Sequence, residues 1–263
     1  MPIANPLVDP PPAEVPLAKA PLVRVIAQVR FPVVAAVEQR EFVAEFQKSL
    51  RTAYPVLREE TARRFIVHGS DPAVFHPSRV WRFEDDEGRW RLSLMSDSLA
   101  LETTAYSSRS DFLRRFDAAL RCLEQHVKPA RRDRLGIRYI DRITGEAAAD
   151  IARLVRAEVR GIVGTPLGPR AVHSLSESLF DLDDLRLLAR WGRLPPNVTV
   201  DPAAIEPVGE SSWLLDLDAF ADAPAAFSVD SIGRDARRFA ERIYAFFRWA
   251  VTEEFLRKYG GKP

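Results

Sequence analysis

Much of the chain is written in short segments that alternate apolar and polar residues. A period of two suits a β-strand with one buried face and little else. In LVRVIAQVRF, residues 22–31, Val23, Val25, Ala27, Val29 and Phe31 share one side, and Arg24, Gln28 and Arg30 share the other. In RLGIRYIDRI, residues 134–143, Leu135, Ile137, Tyr139 and Ile143 alternate with Gly136, Arg138, Ile140 and Arg142. Asp141 falls on the apolar side of this second segment, where a lone carboxylate is prohibitive to bury. Either a bulge at Ile140–Asp141 turns it outward, or it stays inward as a structural polar group. If inward, an arginine, a Trp N–H or backbone amides are its candidate partners.

Apolar residues at helical spacing run between the strands. Phe42, Val43, Phe46, Leu50, Ala53 and Leu57 predict a helix over 38–59. Phe112, Leu113, Phe116, Ala119, Leu120, Leu123 and Val127 predict a second, with a cap signal at Ser110-Asp111. Ile151, Leu154, Val155, Val159 and Ile162 predict a third. Phe239, Ile243, Phe246, Phe247, Ala250, Val251 and Phe255 predict a long closing helix over 230–258. Further strands are expected at RFIVHG (64–69), at SLALETT, and near 172–182, 185–194 and 212–220. VWRFEDDEGRWRLSLM reads as a hairpin turning at Asp85-Asp86-Glu87-Gly88.

The order strand, helix, several strands, long helix occurs twice. It predicts an α+β fold made by duplication, with repeats over 22–132 and 133–263. The expected product is a curved antiparallel sheet with long helices on one face. That element order is similar to the saddle of TATA-binding proteins, and a fold by itself assigns no function. Residues 1–21 hold seven prolines and are expected to form an extended, flexible arm.

LVRVIAQVRF, the Trp81…Trp90 hairpin leading to DSLALETTAY, and above all DRLGIRYIDRI resemble a sporadically distributed, uncharacterised family of bacterial and archaeal proteins of about this length. The resemblance spans most of the chain, including the aromatic C-terminal helix. The family pattern has Asn more often than Asp where Asp141 stands, so this chain departs there. The patchy spread implies a mobile accessory locus, of the defence or toxin–antitoxin kind. It assigns no residue a role.

Lys+Arg is 38 against 37 Asp+Glu, for a net charge of +1 over 263 residues. Global charge therefore does not draw the chain to a polyanion, which leaves only local patches. Near-neutrality also makes self-association, as a homo-oligomer, plausible. The one cysteine, Cys122, excludes an internal disulfide and fits a reducing compartment. No apolar run approaches the ~18 residues of a membrane span, and the N-terminus lacks a secretory pattern. A cytoplasmic protein without membrane partners is expected.

The histidines His68, His76, His126 and His173 lack metal-pair spacing, although His68 and His76 straddle a turn. There is no nucleophile elbow, phosphate loop or dinucleotide fingerprint. No metal, no cofactor and no catalytic residue are expected. Cys122 and His126, four apart on a helix, read as core rather than as a dyad. Glu84 to Glu87 read as a solvated turn. Asp216 and Asp218 share a strand face, suiting a divalent ion, a partner's arginine or a charged sheet edge.

The most suggestive pattern is basic. Arg24, Arg30, Arg91, Arg138 and Arg142 are phased to leave the core on the sheet's open face, and Arg82 and Arg190 extend the set. Three uses are open: gripping phosphates, engaging a protein, or pairing across strands with Glu84, Glu102 and Glu177. The interleaved Gln28, Ser93, Gly136 and Ile140 are not the aromatics on which single strands stack. The expected function is a non-catalytic binding or adaptor role with a protein partner. The alternative is a nucleic-acid-binding protein using the same face.

Overall fold

The structure is a computed structural model that describes residues 5–66 and 74–263, the side chains of 62–77 excepted. His68, the side chain of His76 and the end of the strand expected at 64–69 lie outside the described residues. In chain order the elements begin with β1 (Leu22–Arg30), α1 (Arg40–Leu50), β2 (Val56–Ile66), β3 (Val74–Glu84), β4 (Trp90–Met95) and β5 (Ser98–Thr103). There follow α2 (Arg109–His126), β6 (Arg131–Arg132), β7 (Arg134–Ile143), α3 (Gly145–Ala149), α4 (Ile151–Leu154) and α5 (Ala157–Arg160). The chain closes with β8 (Ser174–Leu182), β9 (Leu185–Leu194), β10 (Ser212–Ala221), β11 (Ala225–Ala226), α6 (Val229–Ala250) and α7 (Glu253–Lys258).

The protein is α+β, with a large antiparallel sheet and several helices. The chain divides into two compact units, neither of them continuous in sequence. One holds residues 26–136 and 222–236, and the other holds 1–25, 137–221 and 237–263. The first carries strands in the order β2-β3-β4-β5-β1, and the second carries β7-β10-β9-β8.

In the first unit Trp81 lies opposite Leu94 and Phe83 opposite Leu92, and Leu92 opposite Leu101. These side chains share one fully buried face. Phe46 of α1 meets Phe83 at 5.4 Å between ring centroids, and Phe112 of α2 meets Trp90 at 6.1 Å. Trp81 Nε1 donates to the Val37 carbonyl at 2.8 Å, which lets an indole sit in the core with its N–H satisfied. In the second unit, β9 and β10 set Trp191 opposite Leu215 and Ala189 opposite Leu217. Phe246 of α6 packs on that face, 5.7 Å from Phe180 and 6.3 Å from Trp191.

Three helices differ from the spacing that suggested them. α1 stops at Leu50, and Leu57 belongs to β2. Pro55 lacks an N–H and forces Tyr54 out of the α region, which outweighs the recurrence of apolar residues. The single helix expected from Ile151 to Ile162 is broken into α4, α5 and a 3₁₀ turn, because Val155 leaves it to form a β-bridge with Val251. The closing helix breaks at the same place. Thr252 Oγ1 accepts from the Phe255 amide and starts α7. The cap of α2 is Ser108 rather than Ser110, its Oγ accepting from the Asp111 amide at 3.1 Å.

The proline-rich segment from residue 5 to 21 contains neither helix nor strand. It makes hydrogen bonds to α6: Val15 N donates to Tyr244 Oη at 2.7 Å, and Arg242 donates to the carbonyls of Pro6 and Asp9.

Gly192 permits the β8–β9 pairing. Its φ is +151°, and a Cβ there would overlap the carbonyl of Ser174 on the neighbouring strand. Gly192→Ala is expected to destabilise the protein by roughly 1–3 kcal/mol in urea unfolding. Gly209→Ala, which meets nothing within 4 Å, serves as the neutral comparison. Equal midpoints for the two would contradict this role.

Candidate functional site

The arginines phased onto one sheet face do stand on strands, and most are held by carboxylates of the same chain. In the second unit the centre of the arrangement is Asp216, which is 2% exposed on the interior strand β10. Arg138 of β7 grips it in bidentate fashion, Nε to Oδ1 at 2.7 Å and Nη2 to Oδ2 at 2.8 Å. Arg190 of β9, directly opposite in register, adds Nη1 to Oδ2 at 3.3 Å. Arg190 Nε in turn donates to Glu177 of β8 at 2.6 Å. A loop over 195–211 closes on this face. Its Ala204 and Ile205 are buried, and its Asp201 accepts from Arg138 Nη1 at 2.6 Å. The face expected to be open is therefore partly covered by the chain itself.

Burial works to lower the pKa of Arg138, but the hydrogen bonds and charge of Asp216 and then Asp201 outweigh it and raise it. Burial works to raise Asp201, but Arg138 and the amides of Ala203 and Ala204 prevail and hold it below the usual carboxylate range. Beside this network lies a pocket of about 440 Å³, bordered by Leu175, Glu177, Arg190, Val198 and Asp201.

The first unit repeats the chemistry in a more exposed form. Glu84 accepts from Arg58 at 3.0 Å and from Arg91 at 2.9 Å. Arg91 also reaches Glu102 at 3.3 Å. Arg82 binds Glu60 at 2.6 Å and Ser93 Oγ at 2.8 Å. Glu84, expected in a solvated turn, is instead the buried last residue of β3, because the phase of the strand points it between two arginines. Arg30 meets Asp97 at 3.2 Å.

Arg24 and Arg142 are half-buried and belong to the same unit as Arg138. Two nitrogens of Arg142, Nε and Nη2, are buried without a hydrogen-bond partner among the described residues, and burial lowers its pKa. Arg58 and Asp201 were not anticipated. The signal for Asp201 is its Asp-Pro-Ala-Ala context, in which its Oδ1 accepts from Ala203 N in an Asx-turn.

Asp141 stays inward, 7% exposed. Among the described residues neither flanking arginine pairs with it: Arg138 is committed to Asp216 and Asp201, and Arg142 Nε and Nη2 have no hydrogen-bond partner. The buried Trp213 Nε1 has no hydrogen-bond partner among the described residues, so that indole does not serve it either. Burial alone pushes the Asp141 carboxyl up to about 7. Its charge, behind burial, also helps to raise the phenol of Tyr259. Burial thus favours the protonated carboxyl over the charged form.

Cys122 is buried, its thiol pushed up to about 12 by burial, and its Sγ approaches the Phe46 carbonyl at 3.7 Å. That makes it a core residue beside α1. Asp216 and Asp218 do not lie on a sheet edge, because β10 runs between β7 and β9. No cluster of His, Cys, Asp and Glu suited to a metal ion occurs among the described residues, and no described helix is long and apolar enough to cross a membrane. No protein-family model and no curated protein matches the sequence.

Two outcomes follow from this geometry. Asp216→Ala removes the bidentate partner of Arg138 and one partner of Arg190, leaving them Asp201 and Glu177, and is expected to cost about 3 kcal/mol in urea unfolding. The double replacement Arg138→Met, Asp216→Leu should recover much of that loss, and a single-variant loss below about 1 kcal/mol would contradict the network. For Asp141, the folded state keeps its proton up to about pH 7, whereas an unfolded chain releases it near the ordinary aspartate value of 3.8. The folded state binds more protons inside that window, so stability falls as pH rises through it. Asp141→Asn should remove this slope. At pH 8 it should be more stable than the native chain by on the order of 4 kcal/mol, at about 1.4 kcal/mol per pKa unit, while the two match near pH 4. Parallel pH–stability curves would contradict it.

Proposed function

We propose that the chain is a non-catalytic binding or adaptor protein that recognises a protein partner. The observation that carries this reading is the commitment of Arg91, Arg138 and Arg190 to internal carboxylates. A surface that grips phosphates needs cations to spare, and here Glu84, Glu102, Glu177 and Asp216 supply the counter-charge already. The result is a polar, charge-balanced face that suits protein recognition better than a polyanion. The resemblance of RLGIRYIDRI to a sporadically distributed family adds the proposal that the partner is encoded in the same mobile accessory locus.

A duplicated origin belongs to the same reading. In the order β2-β3-β4-β5-β1 the first strand of the repeat lies beside its last, and β8-β9-β10-β7 follows the same rule. This favours two related halves with the element order of the TATA-binding saddle. The alternative is a nucleic-acid-binding protein using the same face, for which the unpartnered Nε and Nη2 of Arg142 count for nothing because both are buried.

Affinity purification of the tagged protein from its native host, with and without nuclease, separates the two. The adaptor reading expects a stoichiometric protein partner that survives nuclease. It also expects weak oligonucleotide binding whose affinity changes little between 50 and 200 mM salt. Recovery of nucleic acid alone, or a 10³-fold or greater loss of oligonucleotide affinity over that range, would overturn it.

A further inference from the structure

We infer that the face built by Arg242, Tyr244 and Gly261 is a docking site for a proline-rich, extended segment of a partner protein, and that the chain's own residues 5–19 hold it closed as an internal stand-in. This rests on the adaptor reading and names where, and with what chemistry, the partner docks. The segment and the face belong to one unit. The kind of occupant is selected by the segment already seated there.

The contacts follow the segment in order. Arg242 Nη1 of α6 donates to the carbonyls of Pro6 at 2.7 Å and Asp9 at 3.0 Å. Tyr244 Oη donates to the Ala13 carbonyl at 3.2 Å and accepts from the Val15 amide at 2.7 Å. Gly261, beyond α7, is buried, and a Cβ there would stand 2.7 Å from the Leu17 side chain and 2.9 Å from that of Val15. Lys19 N donates to the Tyr259 carbonyl at 3.0 Å. On the helices that supply these contacts, the rings of Tyr244, Phe247, Phe255 and Tyr259 follow one another at 6.2, 5.6 and 4.7 Å between centroids. Most of these groups read backbone rather than side chains. Residues 10–17, PPPAEVPL, form neither helix, strand nor turn. A proline-rich stretch of that kind leaves its carbonyls to outside donors and loses little entropy when it is held. The amide that Tyr244 takes requires a residue other than proline at that one position. The pattern the face accepts is therefore that of Pro12-Ala13-Glu14-Val15-Pro16.

The stand-in is lightly held. No residue from 5 to 21 is buried, and Val8 is 70% exposed. Its departure breaks no strand pairing. Arg242 also differs from the sheet arginines. Its only hydrogen-bond acceptors among the described residues are the carbonyls of Pro6 and Asp9, so the guanidinium serves backbone rather than a carboxylate. An incoming segment of the same kind restores each of these bonds. A second copy offers the identical segment, which does not outcompete the tethered one. A partner's segment does, because its sequence is free to fit the face better.

The test uses the full-length chain, native and Val15→Pro, the latter losing the amide that Tyr244 accepts. The probe is a fluorescent peptide with the sequence of residues 5–19. Its binding is followed by anisotropy, and the chain's own Lys19 amide is followed by hydrogen exchange. Val15→Pro should bind the peptide at least ten-fold more tightly than the native chain, with an unchanged unfolding midpoint. Bound peptide should speed exchange at Lys19, because the internal segment leaves. A peptide with glycine in place of Pro10, Pro11 and Pro12 should bind at least five-fold more weakly. Adding Tyr244→Phe to Val15→Pro should weaken the peptide about ten-fold. No binding to either form, equal binding to both, or a Val15→Pro chain that sediments as a dimer with its segments exchanged would each overturn the inference. If the peptide fails while a nuclease-resistant partner still co-purifies, only this dock is wrong. If both fail, the adaptor reading falls with it.

Discussion

A carboxylate buried on an interior strand is the constraint that organises the second unit. Asp216 can occupy β10 at 2% exposure only because Arg138 meets it with two parallel hydrogen bonds and Arg190 with a third. The pair joins β7 to β10, and Arg190 carries the network through β9 to Glu177 on β8. Asp201 brings the 195–211 loop down onto the same guanidinium. Ile140, two residues from Arg138, is fully buried as well. One buried charge therefore accounts for the polarity of the face, the position of the loop and the wall of the pocket.

The first unit solves the same problem with less burial. Glu84 and Glu102 sit among Arg58, Arg82 and Arg91, several of which remain partly exposed. Pairs of that kind contribute little to stability singly. Their consequence is electrostatic, since each guanidinium is matched across a strand by a carboxylate and the face loses its net charge. Asp141 marks the limit of the scheme. No cation pairs with it among the described residues, and burial alone pushes its carboxyl up to about 7.

Strand identity was legible because alternation is a local property. The burial of Val25, Ala27 and Val29 on β1 follows the sequence pattern, whereas on β7 Gly136 and Ile140 of the opposite face are buried along with Leu135 and Ile137. The same phase placed Glu84, Glu102 and Glu177 beside arginines. What alternation does not encode is strand order, so whether Asp216 lay at an edge or in the interior could not be read from WLLDLDAF. The helix breaks were hidden for a similar reason. Val155 and Val251 keep helical spacing in sequence but leave their helices to bridge each other, a contact made across 96 residues. Asp201 sits in a loop without periodicity, and only its Asx-turn context hinted at a fixed position.

The central claim is that the sheet-face arginines are internal counter-ions and not free phosphate ligands. Nitrogen-detected NMR of the arginine guanidinium groups tests it directly. The account predicts that Arg138 shows separate, slowly exchanging Nη signals that do not move when a single-stranded oligonucleotide is added at low salt. Averaged Nη signals for Arg138 that shift on addition of the oligonucleotide would contradict it.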